Sequence, residues 1–279
     1  MKHKKHLQII VLTAASFFIF NACNKSESVD QSLVDETEIL QESFVESTFD
    51  ELQEMTEEAF YIGSDGLKST NSDFLRFGDC VTITLDTTIM PRVITLDFGD
   101  ENCLCRDGKY RRGQIISTFN GRFRQPGTIF TFAFNDYYVN DNHVEGTKQI
   151  ENKGFNSENQ MWYEINVQGK ITFVEDSTIV SWAAEKTRTW INGLATPQWR
   201  DDVFLIDGTG EFTNSAEFGK SVVITQPLRR ELSCPFFVSG IVETTPTERP
   251  KRILDYGDGE CDRFATVTIG DRTFTIRLR

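Results

Sequence analysis

Six cysteines, three histidines and 42 acidic residues are the groups in this 279-residue chain that could bind metal, form disulfides or move protons. Two of the cysteines close a repeated octet: LDFGDENC, Leu96 to Cys103, returns as LDYGDGEC, Leu254 to Cys261. Its acids are Asp97 and Asp100 in one copy, and Asp255, Asp258 and Glu260 in the other; all carry oxygens that calcium would accept. A calcium site takes six to eight oxygens, and neither copy has the alternating spacing of an EF-hand loop. Asp-x-Gly-Asp is instead the composition of a tight turn, in which glycine takes positive φ and aspartate bonds a backbone amide two residues on. No metal and no other cofactor are expected.

His3 and His6 lie in the N-terminal segment, and His143 lies in NDNHVEG, a turn composition. A histidine-rich zinc site is excluded, and a Ser-His-Asp triad would have to use His143. The chain contains no GxSxG, HExxH or phosphate-loop motif. A carboxylate-pair glycosidase stays open, because such a pair is defined by distance in space. The neighbours Asp201 and Asp202 would face opposite sides of a strand and read as turn or edge charges. Trp162, Trp182, Trp190 and Trp199 fall within one stretch. They would offer ring faces to a glycan, or fill a core, where large aromatics dominate.

Each octet has a further cysteine upstream: Cys80 lies 23 residues before Cys103, and Cys234 lies 27 before Cys261. Cysteine, strand, loop, strand, acidic turn, cysteine is therefore written twice, which is a partial internal duplication. Two local disulfides, Cys80–Cys103 and Cys234–Cys261, are the economical reading in an oxidising compartment, worth about 3 kcal/mol each in the chain-entropy model. Cross-repeat pairing such as Cys80–Cys261 is the rival, and Cys105 is an alternative partner for Cys80.

The compartment follows from the first residues. Lys2, Lys4 and Lys5 precede an apolar run from Leu7 to Phe20, which matches a secretory segment and is too short for a membrane span. Ala22-Cys23 resembles the cleavage site of bacterial lipoproteins, with Phe20 and Asn21 departing from the usual pattern. That resemblance implies removal of residues 1–22, palmitate-type acylation of Cys23 and, from Asn24, sorting to the outer membrane. The net charge of −13 is unevenly spread: residues 23–58 carry twelve acids against Lys25 alone. Nucleic acid is excluded as a partner, since there is no basic field to displace its counterions.

The elements follow from periodicity. Residues 23–31 read as a polar tether, and 32–62 as an acidic amphipathic helix with Leu33, Leu40, Phe44, Leu52 and Met55 on one stripe. The helix would dock on the body or on a partner, or else the segment would stand as a partly disordered acidic stalk. From 74 to 279 the pattern is strands: Phe130, Phe132 and Phe134 alternate with small or polar neighbours, as do Met161, Tyr163, Ile165 and Val167. ATVTIGDRTFTIRL predicts a hairpin turning at Gly270-Asp271, with Val267 facing Phe274 and Ala265 facing Ile276. Gly146, Gly169, Gly193, Gly208 and Gly240 recur at hairpin spacing. The expected fold is all-β, an antiparallel sandwich or curved meander stapled by disulfides, with the acidic helix at its N-terminus.

DFGDENCLCRDGKYRRGQI, DYYVNDNHVEGTKQI, ITQPLRRELSCPFFVSGIVE and DYGDGECDRFATVTIGDRTFTIRL together resemble an uncharacterised family of envelope lipoproteins from Bacteroidetes-type bacteria. The resemblance implies a lipid-anchored outer-membrane protein, periplasmic or surface-exposed, and brings no activity with it. The expected function is a non-catalytic binding or structural β-module, with a glycan or another envelope protein as partner besides the membrane. A lipid or small-ligand carrier with a half-barrel cavity, and a carboxylate-dependent glycan hydrolase, are the alternatives.

Overall fold

The structure is a computed structural model that describes residues 25–64, 77–122, 124–196, 198–215, 219–247 and 249–278. Cys23 and the N-terminal secretory segment lie outside these residues. A helix, α1 (Lys25–Ser64), precedes fourteen strands: β1 (Thr82–Asp86), β2 (Arg92–Asp97), β3 (Cys103–Leu104), β4 (Tyr110–Phe119), β5 (Ile129–Val139), β6 (Asn142–Phe155), β7 (Met161–Thr172), β8 (Ile179–Asn192), β9 (Val203–Asn214), β10 (Gly219–Glu231), β11 (Phe237–Pro246), β12 (Arg252–Asp258), β13 (Phe264–Ile269) and β14 (Arg272–Arg277). Apart from β3, which pairs only with β4, the strands follow one another in a single antiparallel sheet from β1 to β14. The sheet is an unclosed, curved meander and not a sandwich. Among the described residues no helix is long and apolar enough to cross a membrane.

Alternation builds the sheet's inner face. On β7, Met161, Tyr163, Ile165, Val167 and Ile171 are buried, while Glu164, Asn166, Gln168 and Lys170 turn outward. Each fully buried side chain of this size is worth about 1.5–3 kcal/mol. The final hairpin has the register its alternation dictates, Ala265 opposite Ile276 and Val267 opposite Phe274.

The inner face closes around α1. Val45, Phe49 and Leu52 have no exposed surface, and Ile39, Met55 and Ala59 are buried with them in the one core. Glu51 and Glu54, less than one turn apart, bond Arg111 on β4 and Arg230 on β10 respectively. Those strands are six spacings apart, roughly 29 Å in a flat sheet. Only a sheet wrapped around the helix can bring both to one turn.

Two glycines make the wrapping sterically feasible. Gly169 on β7 lies under the Phe49 ring, and a Cβ there would sit 2.2 Å from the ring carbon Cζ. Gly113 on β4 has φ +81°, a conformation costly for other residues, at the register shift between Arg112 and Gln114. Hairpin spacing therefore misreads the glycines: Gly146, Gly169, Gly208 and Gly240 lie inside strands, and only Gly193 sits in a connection. Their spacing reflects close approaches across the sheet, not turns.

The helix also begins earlier than its apolar pattern, at Lys25, so residues 25–31 are helical. The physical reason is continuity: Lys25 to Ile62 contains no glycine or proline to stop propagation.

The repeated octet is the same turn twice. Asp97 Oδ1 accepts from the Gly99 amide at 2.9 Å, and Asp255 Oδ1 from the Gly257 amide at 2.9 Å. Gly99 and Gly257 have φ of +78° and +93°. Disulfides join Cys80 to Cys103 and Cys234 to Cys261, the local pairing, and leave Cys105 as a buried thiol. Asp97→Ala or Asp255→Ala is expected to cost about 1 kcal/mol, the usual worth of one such hydrogen bond. Melting curves in excess calcium and in chelator should coincide. A calcium-dependent rise of many degrees, lost in either variant, would make the octets metal sites.

Candidate functional site

Acids on α1 recur every four residues at Glu38, Glu42, Glu46, Asp50 and Glu54. A helix repeats every 3.6 residues, so each step advances about 40° around the axis. The ladder winds, and it meets bases on successive strands of the surrounding sheet.

Glu38 receives Arg252 at 2.7 Å, Arg249 at 2.8 Å and Lys220 at 2.9 Å. Glu42 bonds Lys220. Glu46 takes Lys186 at 2.5 Å, and Asp50 takes Lys186 at 3.4 Å and Lys148 at 3.9 Å. Glu51 bonds Lys109, with Arg111 at 3.3 Å. Glu54 sits in a two-point clasp, Arg230 Nε at 3.0 Å and Nη2 at 2.9 Å, with Arg188 4.0 Å away. Arg111, Lys148, Lys186, Arg188, Lys220, Arg230 and Arg252 are all buried.

Burial and pairing oppose each other along this trough. Burial pushes the Glu38 carboxyl up, but three cationic hydrogen bonds outweigh it and hold it at about 2. For Glu42 burial wins over Lys220 and Arg252, and its carboxyl is raised. Burial lowers the Lys148 ammonium to about 8, against the attraction of Asp50, and its Nζ donates to the Phe49 carbonyl at 2.8 Å. Lys186 goes the other way: Asp50 and Glu46 outweigh burial and raise it.

Reading by residue type misses these cations, because lysine and arginine on a strand are assigned to solvent. The signal was parity. Trp182, Ala184, Lys186, Arg188 and Trp190 alternate in phase on β8, so the cations must share the tryptophans' face.

Beside the trough lies a cavity of about 470 Å³, where α1 is flanked by parts from both ends of the sheet path. Ser43, Ser47, Glu51 and Glu54 of the helix form one wall. Leu232, Phe236, Phe237, Tyr256 and Leu278 supply an apolar floor, and Arg106 and Arg200 stand exposed beside it. An adjoining groove shares Pro235 and Phe236 and adds Arg263, Phe264 and Arg277. The Cys234–Cys261 disulfide links the loops that carry this floor.

The tryptophans do not form one surface. Trp182 and Trp190 are buried on the inner face of β8, against Phe212 and Phe204. Trp162 lies on the opposite face of β7 from the buried Met161 and Tyr163. Trp199 starts a short 3-10 turn, Trp199–Asp201, and its side chain is outside the described residues. Strand parity separates residues that are close in sequence.

His143 is on β6 and not in a turn, half-buried and stacked on Tyr138 with ring centroids 4.6 Å apart. Asp201 accepts from Thr196 Oγ1 at 2.8 Å. Asp202 is buried, with no hydrogen-bond partner at Oδ1. Burial pushes its carboxyl up to about 7, with Arg124 pulling it down and Asp201 pushing it up.

The folded state thus binds a proton at Asp202 more tightly than the unfolded chain does. Stability contributed by this group is present below pH about 4 and is lost as pH rises through 7. Asp202→Asn should be insensitive to that window and gain roughly 2–4 kcal/mol over the natural protein at pH 8 relative to pH 4. Denaturant melts at the two pH values measure it. A difference that does not change with pH would reject the assignment.

Among the described residues, no three His, Cys, Asp or Glu side chains are grouped to hold a metal ion. No family model, curated protein or solved structure matches this chain.

Proposed function

We propose that the protein is a non-catalytic binding module of the cell envelope, held at the outer membrane by a lipid on Cys23, with the cavity beside α1 as its binding site. The observation that supports binding over catalysis is the use made of the interior charges. Glu38, Glu42, Glu46, Asp50, Glu51 and Glu54 are each engaged by sheet cations, which fix the helix in the sheet. A glycan hydrolase needs one protonated carboxyl beside an ionised one. Beside the cavity, Asp107 is held below its ordinary range because hydrogen bonds and charge from Arg111 outweigh its burial. Glu54 is clasped by Arg230.

The carrier reading draws support from the unclosed, curved sheet. Its hollow holds α1, so the volume left suits one small ligand at the side of the helix. Resemblance to Bacteroidetes-type lipoproteins, and the polar start of α1 just after Cys23, support the anchor. Cys23→Ala is expected to move the protein from the membrane fraction to the soluble fraction, and mass spectrometry should find acyl chains on the natural N-terminus. An unmodified N-terminus in the natural protein would sink the anchor.

A further inference from the structure

We propose that the β1 edge of the sheet is a docking strand for an extended, basic-ended segment of another protein, which pairs with it as one more strand. An unclosed sheet has two edges, and here they are β1 and β14. Unpaired main-chain groups along an edge are a template for a further strand, and natural sheets blunt such edges with charged residues or proline. β14 is blunted, with Arg272 and Arg277 at its ends. β1 is not. Residues 81–90, VTITLDTTIM, contain no basic residue and no proline, and seven of the ten are the β-branched types that strands favour. Among the described residues, no backbone hydrogen bond reaches β1 besides its pairing with β2.

Cover also stops short at this edge. Ile83 and Leu85 lie opposite Leu96 and Ile94 of β2. The β2 residues are each 1% exposed, whereas Ile83 and Leu85 stay half-buried. Thr82 and Thr84 alternate with them and are exposed. Just beyond the strand, Ile89 and Met90 are 52% and 66% exposed. A strand laid against β1 would complete the cover of Ile83 and Leu85 with apolar residues facing inward and polar ones outward. The surface is separate from the cavity beside α1, whose lining includes no β1 residue.

Charge selects the occupant. Asp79 lies just before β1 and is exposed, and Asp86 ends the strand. Among the described residues neither is in an ion pair, and Asp86 Oδ1 accepts from Thr88 of its own turn, the amide at 2.8 Å and Oγ1 at 2.6 Å. A strand with a basic residue at each end meets both carboxylates. A second copy cannot supply them, since its β1 carries no cation. It would also be turned the wrong way. Glu38 meets Lys220 and Glu54 meets Arg230, so α1 runs with β10, and β10 is eight antiparallel steps from β1. α1 and β1 therefore share a direction. Two β1 strands paired antiparallel would send their α1 N-termini to opposite ends, which opposes pairing between copies held in one membrane at Cys23. Only this last point rests on the proposed anchor.

The test is a fluorescence anisotropy titration of the full-length natural protein in mild detergent. The probes are three labelled nine-residue peptides: alternating valine and threonine between two lysines, the same core between two glutamates, and the lysine peptide with two prolines at its centre. The lysine peptide should bind at least tenfold more tightly than the other two. Glutamates would meet like charge, and prolines remove main-chain donors. Thr82→Lys/Thr84→Lys, which gives β1 the protection β14 has, should weaken the lysine peptide at least tenfold with melting temperature unchanged. Thr273→Lys/Thr275→Lys on β14 should bind it as the natural protein does.

No binding of the lysine peptide, or binding unchanged by the β1 lysines, would overturn β1 as the docking edge. Equal binding of the glutamate peptide would overturn the basic partner. Concentration-dependent self-association of the natural protein, lost in the β1 variant, would make a second copy the occupant and overturn the partner as another protein.

Discussion

Lys186→Ala is expected to destabilise the protein by about 3–5 kcal/mol, the cost of leaving a buried charge without its partner. The side chain is buried on β8, and its ammonium serves two carboxylates at once, Glu46 at 2.5 Å and Asp50 at 3.4 Å. Removing it leaves the buried Glu46 without this cation and Asp50 with only the more distant Lys148. Lys186→Met combined with Glu46→Gln should recover much of the loss, because a neutral pair of similar volume has no charge to desolvate. The measurement is a double-mutant cycle by denaturant unfolding. Additive losses from the two single substitutions would mean that the acid ladder and the basic trough are not coupled.

A comparable effect is expected at the contact between Gly169 and Phe49. Gly169→Val places a branched side chain where Phe49 Cζ lies 2.2 Å from an added Cβ. The ring has no free space to enter, since Phe49 has no exposed surface and packs edge-on to Phe134 with centroids 5.8 Å apart. Overpacking a tight core costs typically 1–3 kcal/mol and sometimes more. Phe49→Ala alone should cost about 3–5 kcal/mol through lost burial and the cavity left behind. Together the two should cost clearly less than their sum, because the valine refills the space the ring vacates. A sum without compensation would show that the helix does not bear on the sheet at this point.

Both predictions concern the same joint, and that joint was only half visible in the chain. The acidic helix was legible from the recurrence of Leu40, Phe44, Leu52 and Met55, and its docking on the body was an expectation of that stripe. Of the acids between them, Glu42, Glu46 and Glu54 are buried and Asp50 and Glu51 partly so, because the sheet encloses the helix and supplies Lys148, Lys186, Lys220 and Arg252 from within. The tryptophan stretch failed for the complementary reason. Nearness in sequence does not make a surface when strand parity sends Trp182 inward and Trp162 to the other face.

What the chain determined by itself is local. Asp97 and Asp255 reach amides two residues away, and Ala265 meets Ile276 across a two-residue turn, whereas the local disulfides Cys80–Cys103 and Cys234–Cys261 were one of several pairings the spacing left open. Such contacts depend on spacing, turn chemistry and period, which are properties of short segments. Tertiary structure decided the rest: the curvature of the sheet, the inward cations that meet the ladder on α1, and the meeting of Arg106 with Arg200 beside Phe236. These join residues roughly a hundred or more apart, and their distance depends on how far successive strands twist and wrap. That accumulated curvature belongs to the whole sheet around its helix, and no segment of the sequence states it.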